Sequence, residues 1–202
     1  MTDTFKTINT PTEPVLFKEK KSKFIGYAYP IIHEDEVKEL VESLKKEHHT
    51  ANHVCYAWQV GTQDIRYRAN DDGEPNNSAG MPIYGQLQAF EVTNILVAVV
   101  RIFGGTKLGV GGLISAYKTA AQQTLENATI VTKIETTPFK VTFTYPHMNT
   151  VMRAIKKLKL TIAHQKLETS CEITLSVRNS DIAMVVKHFS DIPHITSRIL
   201  ED

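Results

Sequence analysis

Between Val15 and Ile32 apolar and polar residues alternate in two short runs, VLFKEK and SKFIGYAYPI. A period of two predicts extended chain with one buried face, and two such runs in succession predict an antiparallel hairpin. The period then lengthens. From Glu34 to His48, Val37, Leu40, Val41 and Leu44 recur at helical spacing with charges between them, which predicts a helix packing one stripe on a sheet. Asn52 to Val60 and Ile65 to Ala69 form a second predicted hairpin, joined through the turn residues Gly61 to Asp64. Ser78 is placed to cap a helix reaching Phe90, with Pro82 tolerated in its first turn. NILVAVVRIF, from Asn94 to Phe103, predicts a buried strand, and Leu113 to Glu126 a helix whose Ala116, Ala120 and Ala121 allow close packing. The opening segment MTDTFKTINTPTEP is polar and carries Pro11 and Pro14, so it is expected to be frayed or an edge, with regular structure beginning near Val15.

After Asn127 the pattern changes, and all ten glycines of the chain lie before it, between Gly26 and Gly112. Strands are predicted at Phe139 to Tyr145, Lys159 to Lys166, Cys171 to Val177 and His194 to Leu200, and helices at Asn149 to Lys157 and Ser180 to Phe189. That order, βαββαβ, is the ferredoxin-like plan of an antiparallel sheet with two helices on one face. The expected class is therefore α+β, with one domain over 1–132 and a second, ferredoxin-like domain over 133–202. Domains of about 100–150 residues are common, and 202 residues hold one large or two small ones.

Composition changes this picture little. A hydrophobic share of 42% suffices for real cores, and a formal net charge of +1 supplies no bulk field for a polyanion, so contact with nucleic acid has to come from a local patch. Cys55 and Cys171 form no CxxC pair, and no secretory signal is read at the N-terminus, so a reduced cytoplasmic setting is expected. The longest apolar run, Ile95 to Val100, is too short to span a bilayer.

Candidate chemistry concentrates in two segments. In RIFGGTKLGVGGLISAY, Gly104, Gly105, Gly109, Gly111 and Gly112 lie between strand and helix, with Arg101 before them and Lys107 among them. Glycines at a helix start bring backbone N–H groups close to an anion, so phosphate is the candidate ligand; a crowded turn without ligand is the alternative, and the loop lacks the Gly-Lys-Ser/Thr ending of a P-loop. The second segment places Asp71, Asp72 and Glu74 around Gly73, either as an acid/base or Mg²⁺ cluster or as a solvated Asp-Gly turn. Arg101 is read either as an anion clamp or as the partner of Asp72 or Glu74, and Lys118 as a solvated helix residue. His53 and Cys55, two apart on a strand, share one face, but a structural zinc needs four ligands and no second cluster is nearby. Cys55 is read as a buried apolar residue rather than a nucleophile. In the C-terminal half, Arg153, Lys156, Lys157 and Lys159 form the most basic stretch, a candidate polyanion contact or a solvated face.

HVCYAW from His53 to Trp58, NDDGEPNNSAGMP from Asn70 to Pro82, and VVRIFGGTKLGVGGLISAY from Val99 to Tyr117 together resemble the IMPACT family, whose bacterial members are often called YigZ-like. Ile102 departs from the family's usual aromatic, and Asn77 from its common glycine. The resemblance implies an N-terminal α/β sandwich like the second domain of ribosomal protein five of the small subunit. It implies a C-terminal domain like the last domain of elongation factor G. Eukaryotic members are similar in the N-terminal domain only and regulate translation through the activator of a stress kinase, a circuit not carried over to this chain. The resemblance brings no enzymatic activity with it. The expected role is a cytoplasmic translation-associated regulator or accessory factor that binds RNA, the ribosome or a translation-related protein, with no membrane, DNA, metal or cofactor. The alternative is a small-molecule enzyme or phosphate-ligand protein using the glycine and acidic segments.

Overall fold

A computed structural model of the chain describes residues 3–200, which divide into two compact units. One is Phe5–Lys133; the other is the chain from Ile134 onward with Asp3 and Thr4. Both mix helices with antiparallel sheet.

In the first unit, strands β1 (Thr4–Ile8), β2 (Val15–Glu19), β3 (Ser22–Pro30), β4 (His53–Val60), β5 (Arg66–Asn70), β6 (Ile95–Ile102) and β7 (Ile130–Ile134) alternate with helices α1 (Glu36–Glu47), α2 (Gly80–Ala89) and α3 (Gly109–Asn127). Five strands form an antiparallel sheet in the order β2-β3-β6-β4-β5. Strand β6 lies at its centre, and alternation sends its side chains to two different cores. Ile95, Val97 and Val99 join Leu113, Tyr117, Ala120 and Leu125 of α3 and Ile83 and Leu87 of α2. Leu96, Ala98 and Val100 join Val37, Val41 and Leu44 of α1 on the opposite face. A strand covered on both faces has to be apolar throughout, which is why ILVAVV reads as a continuous run.

The second unit has β8 (Thr136–Thr144), α4 (Met148–Lys157), β9 (Thr161–Leu167), β10 (Ser170–Arg178), α5 (Ile182–Ser190) and β11 (Thr196–Ile199), in the order βαββαβ. Its sheet runs β11-β8-β10-β9 with every neighbour antiparallel. Phe139, Val141, Ile173 and Leu175 face Val151, Ile155, Val185 and Phe189 of the helices. The alternate strand residues, Lys140, Thr142, Glu172 and Thr174 among them, lie on the face that carries no helix.

Three expectations need correction. Of the two readings of the polar opening, edge holds and fraying does not: regular structure begins at Thr4 rather than near Val15, as strand β1 (Thr4–Ile8) of a two-stranded sheet with β7, Thr7 and Ile8 being buried. A polar composition hid it because half of a short strand's residues face solvent. Helix α3 begins at Gly109 rather than Leu113, so three of the loop glycines belong to its first turn. Finally, Ser78 does not cap α2. The capping position is Ala79, which has no side chain to do so.

Gly26 on β3 is fixed by packing, since a Cβ there would lie 1.8 Å from the Thr124 hydroxyl oxygen of α3. Gly26→Ala should cost about 1–3 kcal/mol, the usual range for overpacking. Urea unfolding should show this loss and its partial recovery when Thr124→Ala is added, because the two residues share one contact.

Candidate functional site

The acidic turn between β5 and α2 is built from carboxylates that the chain itself uses. Asp71 accepts hydrogen bonds from the backbone N–H groups of Asn77 (2.9 Å), Ala79 (3.0 Å) and Gly80 (2.8 Å). It thus does from nine residues away the capping that Ser78 was expected to do, and sets a negative charge at the positive end of α2. Asp72 accepts from Val54 N–H at 2.7 Å and pairs with Lys45 at 2.6 Å. Its backbone sits at φ +42°, a region that Asp tolerates better than most residues, and Gly73 follows at φ +90°. The carbonyl of Asp72 accepts from His53 Nδ1 at 2.8 Å, which assigns the proton to that nitrogen.

Glu74 goes inward. Its side chain is 3% exposed, and Oε1 accepts from Arg101 at 2.6 Å and from the Tyr117 hydroxyl at 2.8 Å. Arg101 follows Val99 by two on β6, so alternation turns it to the α2 and α3 face. Its guanidinium lies 5.6 Å from the ring centres of both Phe24 and Phe103, and its Nε has no hydrogen-bond partner among the described residues. The Cys55 thiol donates to the carbonyl of Asp71 at 3.0 Å and lies 3.3 Å from the Tyr117 oxygen. Burial pushes that thiol well above its ordinary range, and the carboxylates of Glu74, Asp72 and Asp71 raise it further. Burial likewise holds the Tyr117 phenol neutral. A fully buried, protonated thiol is a packing group, not a nucleophile.

The acidic and glycine segments therefore meet through Glu74, which binds the strand before the glycines and the helix after them. Of the two readings of Arg101, the structure has it pair with Glu74. Tyr117, which closes the motif in sequence, is the partner that sequence reasoning missed. Its place in the apolar stripe of Leu113, Ala116, Ala120 and Ala121 hid the hydroxyl's role.

Within the glycine segment the reasons differ by position. A Cβ on Gly104 would lie 2.0 Å from the backbone of Lys21, so this glycine permits the close approach of the β2–β3 turn. Gly105 and Gly109 have φ of +86° and +72°. Gly112 packs against Leu108, whereas around a Cβ on Gly111 there is open space. Helix α3 starts without a side-chain cap or an acidic first turn, and Lys107 is exposed beside it. Among the described residues no group of three or more His, Cys, Asp or Glu is arranged to hold a metal ion.

In the other unit, Val151, Ala154 and Ile155 bury one side of α4 and leave Arg153, Lys156 and Lys157 exposed on the other, with Lys159 exposed just beyond the helix. None of the four pairs with a carboxylate among the described residues. The segment from Met148 to Leu160 contains no acidic residue.

Glu74→Ala strands the Arg101 charge in the interior and should cost about 3–5 kcal/mol in urea unfolding, most of it recovered by adding Arg101→Met. The Cys55 thiol should resist Ellman's reagent in the native protein and react once urea has unfolded it; fast native labelling would contradict the buried network.

The Impact N-terminal domain model matches residues 20–125. A protein described as an IMPACT family member from Haemophilus influenzae is 32% identical over 85% of this chain and 85% of its own length. The IMPACT family member YigZ of Escherichia coli is 38% identical over 72% of each chain. A crystal structure titled only as that of a hypothetical protein superposes over the full length of both chains with a TM-score of 0.70 and 25% identity. The turn and glycine segments built around Glu74 lie within the matched residues, and the chain belongs to the IMPACT family.

Proposed function

We propose that this protein is a cytoplasmic, translation-associated regulator or accessory factor that acts by binding, and that its C-terminal unit grips RNA, free or within the ribosome, by the phosphate backbone. Kinship with the IMPACT family brings translation into this reading. On the same kinship, residues 1–132 take the fold of the second domain of ribosomal protein five. Residues 133–202 are then a ferredoxin-like domain akin to the last domain of elongation factor G. The observation that carries RNA binding is the uncompensated strip Arg153, Lys156, Lys157 and Lys159. Exposed lysines and arginines free of carboxylate partners are available to displace the counterions of a polyanion. Three of the four aromatic rings of this unit, Phe139, Phe143 and Phe189, are buried, leaving Tyr145 exposed. Base stacking is thus poorly served, and a phosphate-dominated grip on helical RNA fits better than a reading of single-stranded bases.

One observation favours a second reading, the small phosphate ligand. The open space at Gly111 has no packing explanation, and α3 starts uncapped. Against its catalytic version, Asp71, Asp72 and Glu74 are all engaged by the chain's own groups. A nucleotide that binds the folded state must raise its melting temperature, so a flat thermal profile with nucleotide and Mg²⁺ sinks this reading.

For the leading reading, filter binding to a structured RNA hairpin should weaken log-linearly with salt, with a slope near −0.9 for each phosphate neutralised on a duplex. Lys156→Gln or Lys157→Gln should each lower that slope by about one without changing unfolding by urea. Binding indifferent to salt, or unaffected by both substitutions, overturns it.

A further inference from the structure

We propose that the outer edge of β5 receives an extended, acidic segment of a partner protein, which adds to the five-stranded sheet as a sixth strand. This surface belongs to the N-terminal unit and does not depend on the RNA reading above. Strand β5 ends the order β2-β3-β6-β4-β5 and, among the described residues, is bonded to β4 alone, so its outward N–H and C=O groups are unpaired by sheet. Such an edge is a template for another strand unless something blocks it. No proline interrupts Ile65 to Asn70, and Arg66, Tyr67 and Arg68 are exposed.

The side chains say which strand fits. Helix α1 packs over β4 and β6, leaving the β5 margin open as a groove of about 890 Å³ floored by Tyr56 and Trp58. Arg68 stands opposite Trp58 in the strand register, so Arg66 and Arg68 share the groove face. Arg66 bridges loosely to Glu34 at 3.4 Å, both side chains being exposed, and Arg68 has no ion-pair partner among the described residues. On the other face Tyr67 stacks on Tyr84 with ring centres 4.2 Å apart, yet stays 52% exposed. An incoming strand with carboxylates at positions two apart would meet both arginines, and the residue between them would lie against Tyr67.

The same charges disfavour other occupants. A second copy of this chain, pairing β5 antiparallel about a two-fold axis, would set Arg68 against Arg68 or Arg66, like charges directly opposite one another. A nucleic acid entering the groove would meet Glu34 and Asp35 just before α1, Glu42 on it and Asp72, which together offset Lys38, Lys45 and the two arginines. An added strand avoids the helical side of the groove, because β5 lies between it and α1.

Trp58 is the one tryptophan of the chain and stands opposite Arg68 in the strand register, so its fluorescence reports a change in the surroundings of that arginine. The full-length protein is titrated with a blocked decapeptide of alternating glutamate and valine, and with its lysine counterpart. Saturable change in Trp58 emission with the glutamate peptide alone is expected, together with slowed hydrogen exchange at the amides of 66–70. Arg68→Gln should weaken binding at least tenfold, and Arg66→Glu with Arg68→Glu should transfer preference to the lysine peptide while the circular dichroism spectrum stays unchanged. The proposal is overturned by equal binding of both peptides or by absence of protection at 66–70. It also falls if an RNA hairpin protects these amides instead, or if they are already protected by self-association in sedimentation.

Discussion

A single buried carboxylate organises the N-terminal unit. Glu74 lies on an irregular turn that has few apolar contacts of its own, and its bonds to Arg101 and Tyr117 anchor that turn to the central strand and to the longest helix. A buried ion pair stabilises only when its remaining valences are met, and here the match is incomplete, since Arg101 Nε is left without a partner among the described residues. Stacking between Phe24 and Phe103 supplies part of the difference. What the pair provides is position. With Glu74 fixed, Asp71 sits at the start of α2 and Asp72 reaches back to Val54 and Lys45. The turn is therefore tied by charge-assisted hydrogen bonds to five elements, β6, α3, α2, β4 and α1, which also pack on one another through the two apolar cores.

That arrangement explains why the sequence was easier to read for fold than for site. The residue pattern located the strands of the four- and five-stranded sheets, and it read β6 as one apolar run because both faces of that strand are covered. It could not locate β1 or β7, each of five residues and too short to show a period; in β1 Thr4 and Lys6 face out while the polar Thr7 is buried. The start of α3 was missed for a related reason: three glycines in a row of five argue against a helix by propensity, yet a first turn makes few intrahelical bonds and tolerates them. The site was legible as residue types and not as roles. Asp71, Asp72 and Glu74 look alike in sequence, and only the fold decides that one caps a helix, one ties a strand and one is buried.

The glycine segment shows the same limit in reverse. Its composition invites a single explanation, but Gly104 answers to the backbone of Lys21, Gly105 and Gly109 to positive φ, and Gly112 to Leu108. Steric necessity thus accounts for most of the cluster. Gly111 is the residue it does not explain, and a ligand argument has to begin there rather than from the motif as a whole.

Formal charge misleads in the same way, because a net +1 is the sum of unlike regions. In the N-terminal unit the acids of the turn are matched by Lys45, Arg101 and backbone donors, so they project little field outward. Among the described residues no carboxylate pairs with Arg153, Lys156 or Lys157 of α4, or with Arg68 of β5. Charges already neutralised at about 3 Å have spent their desolvation on the fold and offer a partner little. Unmatched ones remain hydrated and available, at modest cost to stability because they are exposed. The informative quantity is therefore the charge left over once internal pairs are removed. By that measure α4 keeps three cations on one face, and β5 keeps Arg68 beside the loosely paired Arg66. A helix face crowded with cations suits a continuous polyanion, whereas a strand edge with arginines two residues apart suits the spacing of side chains on another strand.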